Sequence, residues 1–349
     1  MTLSRPLGLV AAFAVLAVLY ALPAIAPRAV VQDLFGILTL LVLAMNWNLL
    51  AGFAGLVSVG QQAFVGIGAY AMFAAIILAG LDPLLGVLIG GIAAAAFSIP
   101  MAFFAFRLNG AYFAIGTWVV ADIARLAISQ WKALGGGTGT SLPKGTAKEM
   151  LGVGQIKDVL DISTAAAADA LTYWLMLSLA AAMLVASYVF LRSRMGLGLQ
   201  AIRDNENAAR SVGVDPVRLK ALVFLLCAFA TGLCGALAFI QITRVTPDAA
   251  FSVIDWTAFV IFVTVIGGIG TLPGPIVGVV VFYALQRLLA DYGTVYLIVL
   301  GLIGIAVMLF ARRGLWGMLS DRTGFDLLPL THRPPRAAAP LSEPTGRTA

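Results

Sequence analysis

The side chains able to do chemistry in this chain are polar groups set inside apolar stretches. Asn46, Asn48, Ser58, Gln61 and Gln62 interrupt one glycine-rich run, and Thr117, Asp122 and Arg125 share another. Amides, hydroxyls and a carboxylate can bind and orient a polar solute, but here they lack the partners needed for group transfer. The one histidine is His332, and no His, Cys and carboxylate cluster has metal-ligand spacing. No glycine loop followed by Lys and Ser/Thr is available to cradle nucleotide phosphates. The residues therefore argue against an enzyme and against a cofactor held by this chain. Asp122 and Arg125 stand three apart, on one helix face. They read either as an internal pair that fixes packing or as a group that gates or recognises a zwitterionic solute. Cys227 and Cys234, roughly 10 Å apart along one helix, read as small buried hydrophobes.

The elements that must position these groups follow from composition. Of 349 residues, 61% are hydrophobic and 11% charged, against about 25% charged in soluble domains. That excludes a water-soluble globule, a disordered chain, a nucleic-acid binder and a disulfide scaffold. Apolar segments near the length needed to cross about 30 Å of hydrocarbon recur over residues 7–22, 34–50, 56–78, 84–106, 111–131, 171–191, 221–243, 256–272, 276–290 and 294–310. The expected class is an all-α, polytopic membrane protein with about ten transmembrane helices. The first segment is read as a retained helix, since the region from Pro23 to Pro27 is a poor cleavage site. Gly52, Gly55, Gly60, Gly66 and Gly68 either permit close helix packing or accompany a break lined by Asn46, Asn48, Ser58, Gln61 and Gln62 as a solute path. A second break is expected at Gly267, Gly268, Gly270, Pro273, Gly274 and Pro275.

Charge sets the expected orientation. Arg192, Arg194, Arg203, Arg210, Arg218 and Lys220 crowd a short loop over 192–220, which should be cytoplasmic. Six segments precede it and four follow, so Arg5 and the pair Arg312 and Arg313 return to the same side. Residues 132–169, where lysines are matched by Glu149, Asp158, Asp161 and Asp169, then face outward. A transmembrane domain over 1–317 and a disordered cytoplasmic tail over 318–349 complete the expected organisation.

The cytoplasmic loop is unusually ordered by its sequence. Residues 199–212 read as a short amphipathic helix, with Leu199, Ile202 and Val212 apolar and Arg203, Asp204, Asn205, Glu206 and Arg210 polar. Gly213 supplies a left-handed stop, and Asp215 before Pro216 supplies an N-cap and a first-turn proline. Such a stiff device suits docking. The chain lacks its own energy source, so any active transport must use an ion gradient, with Asp122 the strongest coupling candidate, or a partner ATPase.

The stretch GLGLQAIRDNENAARSVG, Gly196 to Gly213, resembles the cytoplasmic coupling segment of branched-chain amino acid ABC transporter permeases of the LivM type. Five more stretches are similar in order: NWNLLAGFAGLVSVGQQAFVGIGAY, FRLNGAYFAIGT, GGGTGTSLP, CAFATGLCGALAF and VIGGIGTLPGPIVG. The resemblance implies a multi-pass permease of the bacterial inner membrane with both termini cytoplasmic. It implies pairing with a second membrane subunit of the related LivH type, two cytoplasmic ATPase subunits that use the ATP, and an extracytoplasmic substrate-binding protein docking on 132–169. Leu199, Ile202, Arg203, Glu206, Ala208, Ala209 and Gly213 are then the ATPase-coupling residues, and Asn46, Asn48, Ser58, Gln61, Gln62, Thr117 and Asp122 the candidate translocation path. Relatives often carry His where Gln61 or Gln62 stands, Glu near Asp122 and Thr at Gly135. Urea or short amides therefore stand beside leucine, isoleucine and valine as solutes. An ion-coupled carrier or channel for a small polar solute is the alternative outside the family.

Overall fold

The computed structural model describes residues 5–146, 149–289, 295–310 and 314–323. In chain order its helices are α1 (Arg5–Ile25), α2 (Arg28–Asn48), α3 (Gln61–Ala79), α4 (Pro83–Ala105), α5 (Ala111–Ser129), α6 (Val153–Leu160), α7 (Thr164–Arg192), α8 (Arg194–Asp204), α9 (Glu206–Ser211), α10 (Pro216–Ile242), α11 (Pro247–Ala250), α12 (Phe259–Gly267), α13 (Gly274–Leu289), α14 (Val295–Phe310) and α15 (Gly314–Thr323). Strands β1 (Thr140–Ser141) and β2 (Arg244–Val245) form one short antiparallel ladder, Thr140 opposite Val245. Among the described residues, seven helical segments are long and apolar enough to span a bilayer: Arg28–Phe53, Gln61–Ala79, Pro83–Ala105, Ala111–Ser129, Thr164–Arg192, Pro216–Ile242 and Pro247–Gly267. Three shorter apolar helices, Phe13–Ile25, Gly274–Leu289 and Ile298–Val307, fall on the other three expected segments. The protein is thus an all-α polytopic membrane protein, in which seven helices meet the spanning length and composition among the described residues.

Several boundaries differ from the sequence reading, each for a local reason. The third helix begins at Gln61, five residues late, because a π turn over Leu49–Phe53 and non-helical backbone over 55–60 follow α2. The sixth begins at Thr164, seven residues early, because Ser163 accepts a hydrogen bond from Ala166 N–H and caps it. The eighth ends at Gly267, where Gly268 takes φ +128°. Residues 318–323, expected in a disordered tail, are the end of α15, whose Trp316 is buried. The rest of that tail, His332, Arg312 and Arg313 lie outside the described residues.

Helix α10 is the most enclosed span and packs on α3 and α4. Lipid offers no hydrophobic drive for helix association, so close backbone approach must supply it. Gly68, Gly90 and Gly232 meet from three helices. A Cβ on Gly68 would fall on the Gly232 backbone, one on Gly90 on the Gly68 carbonyl, and one on Gly232 on Ala94 Cβ. Gly235 likewise admits the Val65 backbone.

Two non-helical segments sit within this bundle, 55–60 and the 268–273 linker. In the first, Leu56, Ser58 and Gly60 are buried while Gly55 and Val57 are exposed, so protein covers one side of the broken backbone. Trp47 Nε1 donates to the Ser58 carbonyl at 2.8 Å and Leu56 N–H to Leu50 O at 2.9 Å, tying the first break back onto α2. The two ends of α10 define two ends of the molecule: α8 and α9 precede it, whereas the β1–β2 ladder follows it and draws the 132–163 stretch to the opposite end.

Gly232→Ala should lower the thermal unfolding midpoint in detergent, through an overpacking cost of about 1–3 kcal/mol. Gly36→Ala, where nothing lies within 4 Å of the new methyl, should leave it unchanged or raise it slightly. Equal responses would show that close packing at Gly232 is not limiting.

Candidate translocation path and coupling surface

The polar residues expected along a path divide into a buried group and an exposed one. Ser58, Gln61, Gln62 and Thr117 gather where α3 begins. Thr117 Oγ1 accepts from Val59 N–H at 3.0 Å and donates to Ala114 O, while Ser58 Oγ accepts from Gly60 N–H. Gln61 Nε2 donates to Leu43 O at 3.0 Å, and its Oε1 is buried without a hydrogen-bond partner. Gln62 Oε1 accepts from Thr257 Oγ1 at 2.5 Å, and Gln62 N–H reaches the same hydroxyl at 3.4 Å. Thr257 is fully buried in a π turn over Ile254–Ala258 and joins the start of α3 to the segment leading into α12. The sequence reading missed it, because one Thr in an apolar run carries no periodic signal.

Asn46 and Asn48 lie at the end of α2. Both amide atoms of Asn46 are buried and unpartnered. Asn48 instead bridges the breaks: Nδ2 donates to Thr271 O and Oδ1 accepts from Gly270 N–H, both at 2.8 Å. A small cavity of about 10 Å³ adjoins it, lined also by Leu49, Phe53, Ser187 and Leu272. All six of these side chains are at most 3% exposed. They are engaged with protein or enclosed by it, which makes this segment a closed polar seam.

Asp122 does not join them. It pairs with Arg125 as the i,i+3 spacing requires, Nε to Oδ1 at 2.8 Å, and Arg125 also holds Asp248 at 2.9 Å. Yet the Asp122 side chain is 51% exposed, on the least covered of the seven spans, beside exposed Trp118, Val119 and Ile123. The expected internal pair is therefore on an outer face of this subunit. A separate cavity of about 270 Å³, lined by Pro23, Arg28, Val31, Ile162 and Asp169, touches neither group.

The loop before α10 is as ordered as its sequence implied, but it is two helices. Ser193 caps α8 by accepting from Gly196 N–H, and Asn205, in extended conformation, caps α9 by accepting from Ala208 N–H. That second cap breaks the single helix expected over 199–212. Gly213 takes φ +87° as the left-handed stop, where Val214 N–H reaches back to Ala209 O. Asp215 then accepts from the N–H groups of Val217 and Arg218 and starts α10. Leu199, Ile202 and Ala209 are buried against the bundle, so they seat the loop, whereas Ala208, Gly213 and Val212 face outward. Glu206 receives Lys220 Nζ at 2.6 Å and Arg210 Nη2 at 2.9 Å, clamping α9 to the first turn of α10. The Lys220 hydrogen bond, aided by Arg210, holds the Glu206 carboxyl below the usual carboxylate range despite partial burial. Arg203, one of the residues read as ATPase-coupling, sends Nη1 inward to the Gly52 carbonyl at 2.7 Å.

A multi-span helical bundle with broken helices, a buried polar seam and a capped helix pair at one end is the architecture of a polytopic membrane protein and suits a permease. The chain belongs to the branched-chain amino acid transport system permease component family, whose sequence model matches residues 30–311. It is thus a membrane permease subunit of the branched-chain amino acid type of ABC importer. It is 28% identical over 292 residues to the high-affinity branched-chain amino acid transport system permease protein LivM of Salmonella typhimurium, covering 80% of this chain and 68% of that protein. To the LivM protein of Escherichia coli it is 29% identical, with the same coverage. No solved structure matches the chain.

Thr257→Val should destabilise the protein by about 0.6–1.7 kcal/mol, the range for buried hydrogen bonds between membrane helices. In a double-mutant cycle, Gln62→Leu with Thr257→Val should cost less than the two single changes summed. Strict additivity would show that the pair does not interact. For the Glu206 clamp the depressed carboxyl sets the sign: its contribution is present above the ordinary value near 4.5 and is lost as pH falls through the lower native value. Glu206→Gln should therefore raise amide exchange over 206–211 at neutral pH. The wild type should show that rise, corrected for intrinsic rates, only below about pH 4.5.

Proposed function

We propose that the chain forms half of the membrane pore of an ATP-driven importer for branched-chain or related amino acids. In this reading it pairs with a second permease subunit of the LivH type, two cytoplasmic ATPase subunits couple to α8 and α9, and an extracytoplasmic binding protein delivers solute to the 132–163 side. The observation that carries it is the coupling loop: four consecutive caps or stops, at Ser193, Asn205, Gly213 and Asp215, hold two short helices rigid at one end of the bundle. A loop that only connected α7 to α10 would need none of them. With α8 and α9 cytoplasmic, the arginine-rich 192–220 stretch obeys the positive-inside preference. The path is proposed to run past Asn46, Asn48, Ser58, Gln61, Gln62 and Thr117.

Asp122 supports the same reading from the other side. It lies roughly 10 Å from the Ser129 end of α5, within a span. A carboxylate facing lipid near a helix centre costs about 2.5–3.5 kcal/mol even by the mildest scale. An exposed Asp122 with Arg125 is better served by the second subunit or by a water-filled path between the two. Its pairing with Arg125 also disfavours the ion-coupled carrier, whose coupling carboxylate would have to be open to the ion.

The test is affinity purification in mild detergent from the native gene neighbourhood, followed by uptake into proteoliposomes with the co-purified binding protein. A related second permease and two ATPases should be recovered, with uptake of leucine, isoleucine or valine that requires ATP. Uptake of urea or short amides instead would keep the importer and change its solute. Recovery of this chain alone, with uptake that follows an ion gradient and ignores ATP, would overturn the proposal.

A further inference from the structure

Arg203 is the one charged side chain of the α8–α9 loop that turns toward the broken segment of α2. Its Nη1 donates to the Gly52 carbonyl at 2.7 Å, while Nε and Nη2 both rest on Asp204 Oδ1 at 3.2 and 3.1 Å. Gly52 lies in the π turn Leu49–Phe53 that ends α2, where carbonyls run out of intrahelical partners. The aliphatic stem of Arg203 lies over Gly55, whose φ of +71° is a conformation that favours glycine. One turn before Gly52, Asn48 grips the 268–273 linker at Gly270 and Thr271. Gly52 and Gly270 are themselves in direct backbone proximity: a Cβ on Gly52 would collide with Gly270 N and with Asn48 Oδ1. The sequence of contacts is continuous from α8 through Arg203, Gly52 and Asn48 to the α12–α13 linker.

We infer that Arg203 is a positioning residue for transport, a strut that carries displacement of the coupling helices to both helix breaks together. The inference rests on the importer reading and deepens it: the residue acts inward on the membrane core, not outward on the ATPase. A charge-assisted hydrogen bond to a backbone carbonyl suits that role, because it is strong, directional and independent of side-chain substitution on the receiving helix. The tight fit at Gly52 makes the two breaks move as one body, since neither can shift past the other without a backbone collision.

Two measurements on the full chain test it. In the reconstituted complex, Arg203→Ala should retain the ATPase subunits and hydrolyse ATP, while transport per ATP falls about tenfold. Arg203→Lys, able to reach one carbonyl, should recover part of that ratio. Loss of the ATPase subunits from the Arg203→Ala complex would make Arg203 a docking contact and overturn the strut. So would a parallel fall of transport, hydrolysis and thermal stability, or an unchanged ratio. The second measurement needs no transport. In the isolated subunit, Arg203→Ala should raise amide exchange at 49–56 and at 268–273 together, and exchange confined to α8 would refute the inference. If the wild-type complex shows no ATP-linked uptake, the importer reading fails, and the exchange result still decides whether the strut exists.

Discussion

The Asn48 side chain makes the interaction on which the interior depends. Broken backbone inside a bilayer leaves N–H and C=O groups that no water can satisfy, so each break must find its partners in protein. Asn48 supplies a donor and an acceptor from one amide, to the Thr271 carbonyl and the Gly270 N–H. It therefore satisfies one break from the edge of the other. Leucine at that position would leave both linker groups without these partners, and aspartate would offer two acceptors where a donor is also required. One amide thus holds the two breaks together, since it stands at the edge of the first and both its partners lie in the second.

Glycine makes that adjacency possible. At Gly52, as at Gly68, Gly90 and Gly232, backbone meets backbone with no room for a methyl group, and Gly270 takes φ +75°, a conformation that side chains rarely adopt. In water such contacts would add little, since glycine buries almost no apolar area. In lipid they are the main source of association, because van der Waals contact between close backbones replaces the missing hydrophobic drive. The bundle is accordingly tightest around α10 and loosest at α5, whose exposed side chains await lipid or another subunit.

What was legible in the sequence was whatever is written in local chemistry. Apolar run length located the segments, and the motif from Gly196 to Pro216 announced its caps: Gly213 and Asp215 do what their positions implied. Asn205 was visible as a polar residue but not as a cap, because its role depends on extended backbone that no spacing reveals. The faces of the coupling loop were hidden for a different reason. Leu199, Ile202 and Ala209 look like a docking stripe, yet they are buried against this chain's own bundle. Amphipathic periodicity reports that a face is covered, not by what. Long-range partners such as Thr257 for Gln62, 195 positions apart, have no local trace at all.

Helix α10 then has a mechanical meaning beyond packing. At its start, Lys220 is held by Glu206 of α9. At its end, the chain passes directly into β2, which pairs with the 132–163 stretch through β1. From Lys220 to Ile242 the helix runs about 33 Å at the usual rise, with no proline inside the helix after its first turn. A rod of that length, buried over most of its surface, resists bending because its neighbours fill its grooves with backbone as well as side chains. In the proposed importer the ATPase side and the binding-protein side are thus joined by one stiff element, while Arg203 works beside it on the breaks. In that reading the rod keeps the two docking faces in register, and the motion passes through Arg203 to the two breaks beside it.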